Sequence, residues 1–153
     1  FSESGYTYAA AVKLSVGCKM DICKIIPSLP YSKNDLDVEN LQSRADLEAK
    51  NPDARPDILE LTLDISKYEV ILLGFPIWFE DMPKVIYTFL ERYNLAGKVI
   101  VPFATSKEST LENITDKIKS MCPNSTVCDG IIVVGCPSDK ELKYSINRIL
   151  QNR

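Results

Sequence analysis

The chain has 153 residues, enough for one domain with its own core, and its 45% hydrophobic and 25% charged residues are an ordinary globular balance. A net charge of −3 offers no basic surface to nucleic acid or to an anionic membrane, and no apolar run nears the roughly 18 residues of a spanning helix. There is no histidine, which removes Ser-His and Cys-His catalysis and imidazole metal ligation together.

In chain order, residues 7–16 read as a helix ended by Gly17. Residues 21–26 read as a short strand closed by Pro27, and residues 28–33 as a loop around Pro30. Residues 35–50 form a polar stretch with a weak stripe of Leu36, Leu41, Ala45 and Leu47, which predicts a helix. Pro52 and Pro56 then break the chain, and residues 58–67 read as loop with a possible turn of helix. Residues 69–73 read as a strand whose apolar run, Val70 to Leu73, meets Gly74, the pattern of a strand buried on both faces. Pro83 opens a helix to about Tyr93. A strand at 98–103, a helix at 110–122, a strand at 126–134 and a helix at 139–151 complete the order. Helix and strand alternate throughout, which predicts a doubly wound parallel α/β sheet with helices on both faces, in a single domain over residues 1–153.

Three loops leave the C-terminal edge of that sheet, where open α/β sheets bind ligands. Phe1 to Thr7, FSESGYT, brings hydroxyls and Gly5 to the start of the first helix, whose free N–H groups and dipole suit a phosphate. The same residues also read as a plain N-cap by Ser4 or Thr7. Phe75 to Pro83 carries the only tryptophan, Trp78, beside Phe79. Two adjacent aromatics on one extended loop do not both point inward, so one faces solvent or a flat ligand; core packing is the competing reading. Pro102 to Thr110, PFATSKEST, is the third loop, with helix capping by Ser109 or Thr110 as its alternative. No side chain reads as an acid/base catalyst, and no group reads as a metal site. The five cysteines, Cys18, Cys23, Cys122, Cys128 and Cys136, show no C-x-x-C or zinc-like spacing, and their odd number fits buried thiols in a reducing compartment, the cytoplasm. The chain opens at Phe1 rather than Met, which reads as processing, truncation or renumbering.

Together these segments resemble the flavodoxin family, in the branch of bacterial proteins with a Gly-aromatic-Pro-Ile-Trp loop, over nearly the whole chain. FSESGYT is similar to the family's phosphate loop, which implies that Ser2, Ser4, Gly5, Tyr6 and Thr7 wrap the phosphate of FMN. GFPIWF is similar to its first isoalloxazine loop, with Pro76 and Ile77 shaping the pocket, Trp78 stacking and Phe79 adjoining. GKVIVPFATS is similar to its Gly-Lys-x-x-x-Pro-Phe-x-Thr-Ser strand, which implies that Thr105, Ser106, Lys107 and Ser109 also line the cofactor. MCPNSTVCDG, PSLPYS and RPDI carry further likeness. The chain departs from the pattern at the glycine-rich turn, where Lys107, Glu108, Ser109 and Thr110 stand, at Glu80 in place of a glycine, and at Glu3 within the phosphate loop. Acidic groups at Glu80, Asp81 and Glu108 would lower a bound flavin's potential. The family's sheet order 2-1-3-4-5 implies a strand between the 21–26 and 69–73 strands, and no segment here supplies it. The implied function is FMN-dependent electron transfer or small-oxidoreductase chemistry with a redox partner protein. Two alternatives stand beside it: an interaction module on this fold that has lost FMN, and an NAD(P)H-dependent quinone or flavin reductase.

Overall fold

A computed structural model describes residues 1–106, 110–135 and 137–151. Its regular elements are α1 (Tyr6–Cys18), α2 (Arg44–Lys50), β1 (Val70–Pro76), α3 (Lys84–Arg92), β2 (Val99–Thr105), α4 (Glu112–Met121), β3 (Thr126–Val127), β4 (Ile131–Val133) and α5 (Asp139–Gln151). Short 3-10 turns lie at Asn34–Leu36 and Ile65–Lys67, the latter being the turn expected within 58–67.

β1 and β2 pair in parallel from Val70↔Val99 to Pro76↔Thr105. β3 and β4 lie in succession along the other edge of β2, also parallel. The strand expected over 126–134 is thus split. Backbone bonds run from Thr126 N to Lys98 O and from Cys128 N to Ile100 O, both at 2.9 Å. On that alternation the next N–H of β2 belongs to residue 102, and Pro102 has none, so the ladder breaks there. Helices cover both faces. Leu73, Phe75, Val85, Ile86, Phe89, Ile100, Ile114 and Ile118 pack on one side. Ala10, Leu14, Val101, Phe103, Leu142 and Ile146 pack on the other.

Two expected elements are corrected. Residues 35–50 give a helix only over Arg44–Lys50. Asp37 Oδ1 accepts from Glu39 N and Asn40 Oδ1 from Gln42 N, both at 3.0 Å, and these local turns compete with helix until Ser43 caps α2 by accepting from Asp46 N. Residues 21–26 are extended but pair with no strand, and only Pro27 makes an isolated bridge, to Ile58. A strand needs a neighbour along its length to satisfy its backbone groups, and here the contact is confined to its end, where Leu59 N donates to Ile26 O at 2.8 Å. Residues 21–26 and β1 do not close on each other either; a cavity of about 560 Å³ separates them. No helix among the described residues is long and apolar enough to cross a membrane.

Candidate functional site

The three loops converge at the C-terminal ends of β1 and β2. Phe1 N donates to Gly74 O at 2.8 Å, which fastens the start of the first loop to β1. The Thr7 and Thr105 hydroxyls share a hydrogen bond of 2.8 Å and join the first loop to the third. Ile77 N donates to Thr105 O at 3.5 Å, linking the second loop to the third.

The first loop fits an anion. Gly5 stands at the N-cap of α1 with φ of 88°, no side chain caps the helix, and its first turn carries no acidic residue. Open N–H groups at such a helix start attract negative charge. Ser2 Oγ, three residues before Gly5, is buried and has no hydrogen-bond partner. A buried hydroxyl without a partner costs roughly 1–3 kcal/mol, so a ligand oxygen at this position would satisfy it. Glu3 is exposed, which lets its carboxylate turn to water rather than face the anion. Ser4 is exposed, and Tyr6 is 75% exposed on the first turn of α1, so Tyr6 lies on the outer rim of the group expected to wrap a phosphate.

The second loop holds the aromatic wall. Trp78 is half-buried, its ring edge-on to Phe1 at 5.4 Å and to Tyr31 at 5.2 Å. Phe79 is 44% exposed. One ring packs and its neighbour faces out, as the spacing of the two aromatics requires. Pro76 and Ile77 are half-buried beneath them. Trp78 N donates to Asp81 O at 2.9 Å and Asp81 N to Trp78 O at 3.0 Å, while Phe79 and Glu80 both take positive φ, 49° and 60°. Two central residues at positive φ between mutually bonded flanks make this a type I′ turn.

Sequence reasoning missed the support behind Trp78. Tyr31 is buried, its hydroxyl donates to Glu48 at 2.5 Å, and the Arg44 guanidinium lies 4.0 Å over its ring. Burial, then the bond to Glu48, push the Tyr31 hydroxyl well above the ordinary phenol range, so it stays a donor. The signal was present in PSLPYS, but nothing in its spacing ties Tyr31 to Trp78. Asp81 anchors the loop. Its carboxylate accepts from Met82 N at 2.8 Å, from the Tyr87 hydroxyl at 2.8 Å and from Lys117 Nζ at 2.7 Å. Lys117 thus pairs with the Asp81 carboxylate at the base of the turn. Of the third loop, Thr105 and Ser106 are half-buried at the end of β2. Lys107, Glu108 and Ser109 lie outside the described residues.

The loops at these strand ends lie where open parallel α/β sheets bind their ligands. A sequence profile of the flavodoxins matches residues 1–149. The chain belongs to the flavodoxin family. It is similar to the crystal structure of a protein from Bacteroides eggerthii assigned to the flavoproteins, with 35% identity and a TM-score of 0.92 over 98% of this chain and 94% of that one. A second such protein, from Bacteroides uniformis, shares 31% identity with a TM-score of 0.89, over 96% of this chain and 94% of that one. A flavoprotein from Lactobacillus acidophilus, solved in complex with FMN, shares the fold at 20% identity and a TM-score of 0.69, over 97% of this chain and 93% of that one. No curated protein matches the chain.

Proposed function

We propose that this protein binds FMN and uses it to pass electrons, as a carrier or small oxidoreductase, to or from a redox partner protein in the cytoplasm. The observation that carries the reading is the buried, unpartnered Ser2 Oγ just before the uncapped start of α1. In this reading Ser2, Ser4, Gly5, Tyr6 and Thr7 hold the phosphate, with the hydrogen bond between Thr7 and Thr105 fixing the loop's height above the sheet. Trp78, braced by Phe1 and Tyr31, supplies the flat wall, and Phe79 lies at its rim. Thr105, Ser106, Lys107 and Ser109 border the opposite side. Bound FMN supplies reversible one- and two-electron redox chemistry; the residues here bind, orient and shield it. The partner docks over the same loop edge, where Phe79 is exposed. Cys18, Cys23 and Cys122 are free thiols, which suits a reducing compartment.

The test is titration of FMN with the protein, read by flavin fluorescence and visible absorbance. Quenching at micromolar FMN, lost in Trp78→Ala, is the expected result. Ser2→Ala should weaken binding by about 1 kcal/mol, roughly fivefold, through loss of one phosphate hydrogen bond. No quenching by the folded wild-type protein would sink the proposal.

A further inference from the structure

Trp78 and Tyr31 meet edge-on, with ring centroids 5.2 Å apart and planes at 80°. Among the described residues the rings touching Trp78 are Phe1 and Tyr31, and of these only Tyr31 is a phenol. Indole and phenol are the side-chain rings most readily oxidised by one electron, and rings in contact exchange an electron faster than rings set apart. Tyr31 is 5% exposed. Its hydroxyl donates to Glu48 Oε2 at 2.5 Å, and Glu48 Oε1 accepts from Arg44 Nε at 2.7 Å. The Arg44 guanidinium lies 4.0 Å from the centroid of the Tyr31 ring. These neighbours decide how Tyr31 loses an electron. A radical cation beside a guanidinium would set two positive charges together where little water screens them. Release of the phenol proton with the electron avoids this, and a carboxylate already bonded to that hydroxyl is in place to take it. Tyr87 differs. Its hydroxyl meets Asp81 at 2.8 Å, but two cations, Lys84 and Arg55, lie over its ring at 4.5 Å and 5.1 Å, and the ring contacts of Trp78 do not include it.

We propose that Tyr31 is a proton-coupled electron donor to Trp78, drawing a one-electron oxidising equivalent off the aromatic wall and into the buried Tyr31–Glu48 pair. The oxidant is a small, strongly oxidising radical of the azide or carbonate class. It takes one electron from the Trp78 indole and is itself reduced to the anion. One electron then passes from Tyr31 to the oxidised indole across the edge-on contact. The phenol O–H bond breaks, and its proton bonds to Glu48 Oε2. An indole that has lost its N–H proton to water takes one back from water. Trp78 is restored, Tyr31 is left as a neutral phenoxyl radical, and Glu48 is left as a neutral acid that still accepts from Arg44. The positive charge of the missing electron thus ends on Arg44, whose carboxylate partner has been neutralised, and not on the ring. Use of this relay beside a flavin rests on the function proposed above, but the transfer itself needs no flavin.

The experiment is pulse radiolysis of the chain without FMN, with azide radicals as the oxidant, so its failure is read separately from any failure to bind flavin. Trp78 is the only tryptophan, so the indolyl radical signal has one source. That signal should decay with first-order kinetics, at a rate independent of protein concentration, while a phenoxyl signal rises at the same rate. Tyr31→Phe should abolish the matched rise and leave a long-lived indolyl radical, with circular dichroism confirming that the variant is folded. Glu48→Gln keeps an acceptor oxygen but is a far weaker base. It should slow the transfer about a hundredfold, at the low end of what a positioned proton acceptor contributes. Tyr87→Phe should leave the rate unchanged. A matched rise that survives in Tyr31→Phe, or one that disappears in Tyr87→Phe, would overturn the proposal by assigning the electron to another tyrosine. Decay that is second order in protein would overturn it by making the transfer intermolecular, and an unchanged rate in Glu48→Gln would remove Glu48 as the proton acceptor.

Discussion

At the residue scale the tight turn beside Trp78 is the sharpest local compromise in the molecule. Type I′ turns favour Asn-Gly because both central residues sit at positive φ. Here Phe79 and Glu80 occupy them, at 49° and 60°. A bulky residue held there costs of order 1–3 kcal/mol, and such strain persists where surrounding contacts impose it. The turn is clamped by the two Trp78–Asp81 backbone bonds and by the three bonds to the Asp81 carboxylate. The sequence marked this spot as a departure from the family's glycine at Glu80, and the positive φ supplies the physical meaning of that departure. Glu80→Gly should therefore stabilise the protein. Relief of backbone strain exceeds the extra chain entropy of glycine by about 0.5–1 kcal/mol, seen as a higher urea midpoint. An unchanged or lower midpoint would mean that the turn is not strained. Tyr31→Phe tests the brace behind Trp78. It removes the donor to Glu48, which is largely buried, and should cost about 1–2 kcal/mol while shifting Trp78 emission.

At the element scale the close packing of β1 on β2 places the aromatic loop. Gly74 lies beside Phe103, whose ring atom Cζ would stand 2.1 Å from an added Cβ. Phe103 is 2% exposed and has little room to turn. Gly74→Ala should cost about 2–3 kcal/mol in denaturant unfolding, and Phe103→Leu in the same chain should recover part of it. Additive losses in the double variant would refute the contact. The apolar run into Gly74 made β1 legible from sequence, and the amphipathic spacing of residues 83–93 did the same for α3. Residues 35–43 were misread because their leucines have helical spacing while Asp37 and Asn40 bind the backbone locally. Residues 21–26 have a strand's composition, yet pairing is a property of neighbours, and composition does not reveal whether a neighbour lies alongside. The site was legible as three loops, because each follows or precedes an apolar element. Phe1 and Tyr31 as braces for Trp78 were not legible, since contacts between distant residues leave no local pattern.

At the scale of the whole molecule, the stretch from Ser28 to Thr62, which includes α2, enters the core through Tyr31 and Ile58 and is tied to α3 by polar side chains at its surface. Arg92 binds Asp57 and the Ile58 carbonyl, Arg55 meets Glu91 at 2.7 Å, and the Thr88 hydroxyl donates to Pro56 O at 2.8 Å. Tyr31, which props Trp78, belongs to this stretch, so the aromatic wall depends on ties made far from it. Two of those ties titrate. Hydrogen bonds from Arg92 and then Ser28 hold the Asp57 carboxyl below its ordinary 3.8. The Arg55 hydrogen bond holds Glu91 below its ordinary 4.5. A carboxyl whose pKa is lower folded than unfolded adds stability at neutral pH, and that stability is lost as pH falls through the folded value. Both pairs lie at the surface, so each contribution is modest and screened by salt. Their joint loss falls on one stretch rich in turns and exposed side chains, and such stretches open before the core. Acidification from about pH 5 to pH 3 should therefore shift Trp78 emission to the red before helical circular dichroism is lost. Arg92→Gln removes the larger tie to Asp57 and should flatten the pH dependence of Trp78 emission, with the emission already red-shifted at neutral pH. Coincident loss of both signals in the wild-type protein would show that this stretch and the core unfold as one unit.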